Sequence, residues 1–140
     1  MLSQLQGHRY VGFIALVAAI FIYAGADEVR VPDPGFQYDK LAHFLVFGLI
    51  ATALFRSYTF PKSKKARWLR ILWVTLIVSA IGALDEMRQF YADGRMAEVA
   101  DWVADTVGAL VASFVYAFWG WYRNFLEMPI SFRRKSRLQL

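Results

Sequence analysis

At 140 residues, 58% hydrophobic and only 19% charged, the chain is about one domain's worth of polypeptide and too apolar for an ordinary soluble enzyme. Aromatics at 17% and a mean hydropathy of +0.36 exclude disorder and point to lipid as the solvent. With no cysteine, a disulfide framework, a thiolate nucleophile and Cys-ligated zinc or iron–sulfur clusters are excluded, and no haem ligation is expected.

Runs free of Asp, Glu, Lys and Arg at 10–26, 41–55, 71–84 and 106–122 predict four helices. The first has Ala24-Gly25-Ala26 before Asp27, the small-x-small form of a signal cleavage site, but only Arg9 and His8 precede it, which favours a retained helix. Crossing about 30 Å of hydrocarbon takes roughly 20 residues. The later runs therefore extend back to Asp39, forward to Gln89 and back to Asp101, and each extension carries polar side chains to membrane depth. Pro32, Pro34 and Gly35 turn the first loop, and Pro61 with Lys62, Lys64 and Lys65 marks the second. Thr75 and Ser79 are expected to bond back onto their own helix, and Gly108 with Ala112 has the small-x-x-x-small spacing of close helix contact. The expected fold is all-α, a four-helix transmembrane bundle with helices at 10–26, 39–58, 68–89 and 101–122, one domain over 1–140, ending in a basic tail at 123–140.

Most of the 16 Lys and Arg fall on one side: Arg9, then Arg56, Lys62, Lys64, Lys65, Arg67 and Arg70, then Arg123, Arg133, Arg134, Lys135 and Arg137. Arg30, Lys40, Arg88 and Arg95 share the other side with every acid except Glu127. The positive-inside rule then makes both termini cytoplasmic in a multi-pass membrane protein. It also explains the pI near 9.7 without nucleic acid. Arg133-Arg134-Lys135 is expected to bind anionic lipid, at about 1 kcal/mol per cation, and Trp68, Trp119, Trp121 and Tyr122 fit an interfacial belt.

Charges at membrane depth cost about 2.5 to 3.5 kcal/mol each on insertion scales and usually mark a site. Lys40, His43 and Phe47 are spaced i, i+3, i+7; Gln89 lies four residues after Asp85 and three after Glu86; Asp101, Asp105, Gly108 and Ala112 form a third stripe. All the polar members fall at the outer ends of their helices, so one outward-facing pocket is expected, with Arg88 and Arg95 near its rim. Asp85 and Glu86 sit at the unfavourable end of a helix dipole, against a purely stabilising role. The plainer alternatives are a helix cap at Asp39-Lys40, a satisfied buried His43 and a loop ion pair at Arg95.

Lys40, Arg88, Gln89, Arg95, Asp101 and Asp105 are the candidate ligand-binding residues, and His43, Glu86 and Asp85 the catalytic ones if a reaction occurs. Asp85, Glu86, Asp101 and Asp105 are candidate ligands for Mg²⁺ or Ca²⁺; with one candidate histidine and no cysteine, zinc is less favoured. No serine-nucleophile elbow, phosphate loop or dinucleotide fingerprint occurs.

Asp39-Lys40 with His43-Phe44, then Asp85-Glu86 with Gln89, Arg95, Asp101 and Gly108, resembles the VanZ-like family of small bacterial membrane proteins. That pattern runs roughly K-x-x-H-F in one helix, then D-E-x-x-Q-x-F-x-x-x-R and D-x-x-x-N-x-x-G, and is matched over about 39–112. Phe47 stands where many members have Tyr, and Asp105 where many have Asn. The resemblance implies a multi-pass protein of the bacterial inner (plasma) membrane with envelope-related work: the member that gives the family its name is associated with resistance to a glycopeptide antibiotic, and no established reaction accompanies the fold.

The expected function is therefore an outward-facing pocket for an envelope-related ligand such as a lipid-phosphate headgroup, or an accessory role in a larger membrane complex or homo-oligomer. The alternative is a membrane-embedded enzyme acting on a lipid-linked phosphate by acid/base chemistry. Transport would require oligomerisation, and no broken-helix signature is visible.

Overall fold

The computed structural model describes residues 10, 12–19, 36–91 and 98–127, with the side chains of 36–39 and of Gln89 outside that description. Helix α1 covers 12–19; α2 is Phe36–Ser57, α3 Lys64–Tyr91, α4 Val99–Phe118 and α5 Gly120–Glu127, and no strand occurs among the described residues. Among the described residues three segments are long and apolar enough to cross a membrane: Lys40–Ser57, Lys64–Arg88 and Val99–Phe118. The part of the expected first helix at 20–26 lies outside the described residues, as does the basic cluster at 133–137.

Local chemistry moves two of the expected boundaries. Helix α3 starts at Lys64 rather than 68 because the Ser63 hydroxyl oxygen accepts the Ala66 N–H at 3.1 Å, capping the first turn. The expected fourth helix, 101–122, is divided. It ends at Trp119, whose backbone is extended (φ −92°, ψ 92°) while its N–H still donates to the Val115 carbonyl at 2.8 Å, and α5 begins at Gly120. Residues 123–127, expected as the start of a tail, are thus helical. What holds them is a set of contacts back onto the bundle: Arg123 lies 4.0 Å from the centroid of the Phe60 ring, and Glu127 accepts from Arg56 Nε at 3.0 Å and the Tyr116 hydroxyl at 2.6 Å.

Helix α4 packs along both α2 and α3, which meet each other less. Its contact with α2 is set by small residues, as the Gly108/Ala112 spacing predicts. A Cβ on Gly48 would lie 3.3 Å from the Gly108 carbonyl oxygen, and one on Gly108 would run into the Phe44 backbone. Close backbone approach of this kind is how helices associate where lipid removes any hydrophobic drive between them. Below it Phe47, Ile50, Val78 and Ala109 fill the interior.

The distribution of polarity is the reverse of a soluble bundle. Leu41, Leu45 and Leu49 of α2, Trp68, Leu72 and Leu76 of α3, and Leu110 and Phe114 of α4 are exposed, while Asp85, Glu86, Asp101 and Asp105 are buried. Helices α2 and α4 start at the same end, where Lys40 Nζ meets Asp101 Oδ1 at 2.7 Å, and α3 runs back to that end, where Glu86 Oε2 accepts the Glu98 N–H at 3.0 Å. At the other end Tyr10 lies edge-on to Tyr58, ring centroids 5.8 Å apart, and Phe13, Leu16 and Val17 of α1 pack on the core.

Ser79 does not bond back onto its own helix as expected. Thr106 Oγ1 gives its proton to the Trp102 carbonyl at 2.9 Å, so the 2.8 Å contact between the two hydroxyls has Ser79 donating to Thr106 across the α3–α4 interface. Trp102 Nε1 donates to the Ser79 carbonyl at 3.1 Å and closes the link. Thr75 Oγ1 is buried without a hydrogen-bond partner, so that expectation fails as well. For Ser79 the facing helix, invisible to a local reading, decides where the hydroxyl points.

Candidate functional site

The helical spacings read from the sequence do bring side chains of three helices together. Lys40 Nζ is held between Asp101 Oδ1 at 2.7 Å and Glu98 Oε2 at 2.8 Å. One turn deeper, His43 Nδ1 lies 2.9 Å from Asp105 Oδ1, and the imidazole stacks on Phe47, with centroids 6.2 Å apart and planes 8° apart. Glu86 reaches the cluster from α3, so that one ligand atom each of His43, Glu86 and Asp101 lie within 4.8 Å of one another. Asp85, adjacent in sequence, is turned to Arg88 one turn on, with Nη2 3.0 Å from Oδ1.

The histidine and carboxylates fall into two classes by what they leave open. Asp101 and Asp85 each face a cation. Glu86 and Asp105, 7% and 0% exposed, each keep one carboxylate oxygen, Oε1 and Oδ2, buried with no hydrogen-bond partner. Asp105 has room only because α3 carries glycine opposite it: a Cβ on Gly82 would stand 2.7 Å from Asp105 Oδ2. A buried carboxylate oxygen that lacks a donor is costly. Among the described residues, Asp85, Glu86, Glu98, Asp101 and Asp105 outnumber Lys40 and Arg88, so the cluster carries a negative balance even with His43 protonated.

Most of the residues singled out from sequence are therefore brought together: Lys40, His43, Glu86, Asp101 and Asp105 in one group, with Asp85 and Arg88 paired close by on α3. Gln89 lies in α3 with its side chain outside the description, and Arg95 lies outside the described residues altogether. Glu98 was missed. It is the N-cap residue of α4, with extended backbone (φ −105°, ψ 113°), three residues before Asp101, and the available signal was an acid just ahead of a helix whose first turn already carries Asp101.

Three membrane-capable helices closing around buried carboxylates, a histidine and a lysine define a membrane-type helical protein with a polar interior at one end. A family model described as VanZ/LLP1 matches residues 4–120, beyond the 39–112 spanned by the motifs, and the chain belongs to the VanZ/LLP1 family. Neither curated proteins nor solved structures give a match.

Proposed function

We propose that this protein is a multi-pass component of the bacterial plasma membrane, built as a four-helix transmembrane bundle with both termini in the cytoplasm. In this reading its acidic cluster receives the phosphate-bearing headgroup of an envelope lipid at the outer face. One observation carries the reading: charged side chains from three membrane-capable helices are buried together at one end, and two of the carboxylate oxygens there have no partner. Intramembrane ionisable residues that only support a fold satisfy each other; these do so in part. Lys40 can serve a ligand because Glu98, one of its partners among the described residues, is half exposed, and an exposed ion pair is weak enough to exchange. Arg88, Gln89 and Arg95 are the further candidates for the phosphate.

Native mass spectrometry of the protein, extracted gently from its own membrane, tests this. A stoichiometric phospholipid or polyprenyl-phosphate adduct that disappears in Lys40→Ala and Arg95→Ala is the expected result. A bound protein partner with no lipid adduct would overturn the headgroup reading in favour of an accessory subunit. The orientation has its own test, made clean by the absence of cysteine: Asp33→Cys is expected to react with an impermeant thiol reagent in intact cells and Ser63→Cys is not.

A second reading has a specific observation behind it. A buried carboxylate on one imidazole nitrogen is how a histidine is oriented for proton transfer, and His43 has that partner in Asp105 at 2.9 Å, with Glu86 beside it. An enzyme acting on a lipid-linked phosphate would use His43 and Glu86 in this way, and turnover lost in Glu86→Gln with lipid binding retained would distinguish it from a receptor.

A further inference from the structure

We infer that His43, Glu86 and Asp101 are the protein ligands of one divalent transition-metal ion, with Asp105 as the positioning carboxylate behind the imidazole. This deepens the headgroup reading and rests on it in one respect: the ion is what turns an acid-lined cluster into a receptor for phosphate.

Four observations lead there. The first is geometric: one ligand atom from each of three helices lies within 4.8 Å of the others. Donors about 2.1 Å from a shared ion stand about 3–4 Å apart, so a small closure of side chains suffices. The second is the orphaned oxygen. Glu86 is 7% exposed, its Oε2 accepts the Glu98 N–H, and its Oε1 is buried with no partner. Charge balance among the described residues is the third, since there the carboxylates of the cluster outnumber the cations. A phosphate approaching such a group is repelled unless a bound ion inverts the local sign.

The fourth observation is the arrangement behind His43. Metal-ligating histidines give their second ring N–H to a carboxylate, which fixes the tautomer and raises the basicity of the other nitrogen. Asp105, fully buried, occupies Nδ1 at 2.9 Å, which assigns Nε2 to the ion. Gly82 is what lets Asp105 sit there. Lys40 on Asp101 Oδ1 leaves that carboxylate its second oxygen. One imidazole with two carboxylates moves the preference away from the Mg²⁺ or Ca²⁺ that an all-oxygen set takes and towards Zn²⁺ or Mn²⁺.

The test uses the full chain in lipid nanodiscs, stripped with a chelator, dialysed and titrated with Co²⁺ alone. The expected result is a visible d–d absorption that saturates at one ion per chain and is abolished by Zn²⁺. Absence of any saturable band in the wild type overturns the inference whatever the variants do, which keeps it independent of their folding. Glu86→Gln and Asp101→Asn are each expected to weaken Zn²⁺ binding at least tenfold. Asp105→Asn should weaken it roughly 10- to 100-fold and shift the Co²⁺ band. Unchanged affinity in Glu86→Gln would overturn the ligand set.

Mass spectrometry of the same preparations separates the two readings. Phosphate-lipid adduct lost on chelation and restored by Zn²⁺ supports both. Adduct retained after chelation overturns the metal inference and leaves the headgroup reading standing. A stoichiometric ion with no phosphate lipid keeps the metal site and overturns the headgroup reading.

Discussion

The two ends of this bundle are closed by the same helices and use their charges differently. At the end carrying Ser57, Lys64 and α5, the one described acid, Glu127, accepts from both Arg56 and Tyr116. Three arginines there lie over aromatic faces: Arg67 and Arg123 over Phe60, and Arg70 over Phe55 and Tyr58 while also donating to the Thr59 carbonyl. At the opposite end Lys40, His43, Glu86, Asp101 and Asp105 are as deeply set, yet Glu86 Oε1 and Asp105 Oδ2 have no partner. A satisfied cluster stabilises a fold; a buried one left short of donors costs stability, and is expected where a ligand completes it.

Breaking each end in turn sharpens this contrast. The largest effect is expected from His43→Ala, which strands the fully buried Asp105 carboxylate: about 3 kcal/mol or more of lost stability, read by reversible unfolding in mixed micelles. Gly82→Ala comes next. Its methyl displaces Asp105 from the position that holds His43, at about 1–3 kcal/mol, with loss of ligand in the same preparation. The smallest is Glu127→Gln at the satisfied end. Its partners are partly exposed, so about 1 kcal/mol is expected on thermal unfolding, with ligand binding at the far end unchanged.

Much of the fold was legible because membrane helices announce themselves by what they lack. Charge-free runs gave the positions of the three membrane-capable helices, and i, i+3, i+4 spacing put Lys40 with His43 and Asp101 with Asp105 on common faces before any contact was known. The break at Trp119 was not legible: 106–122 is uninterrupted apolar sequence, and the force that folds α5 back comes from Glu127 meeting residues 71 and 11 positions away. Ser79 was misread for the same reason, since its partner Thr106 lies on another helix. The pairing of Arg88 with Asp85 was within reach, an i, i+3 ion pair on one helix.

Glu86→Gln tests most directly whether the acidic end is left incomplete for a ligand. The amide keeps an oxygen for the Glu98 N–H and replaces the partnerless Oε1 with a donor among carboxylates. Melting temperature and phosphate-lipid content measured on one preparation are expected to diverge: unfolding unchanged or raised, and the lipid adduct gone. Melting lowered by several degrees with the adduct retained would contradict this, and would make Glu86 part of the scaffold.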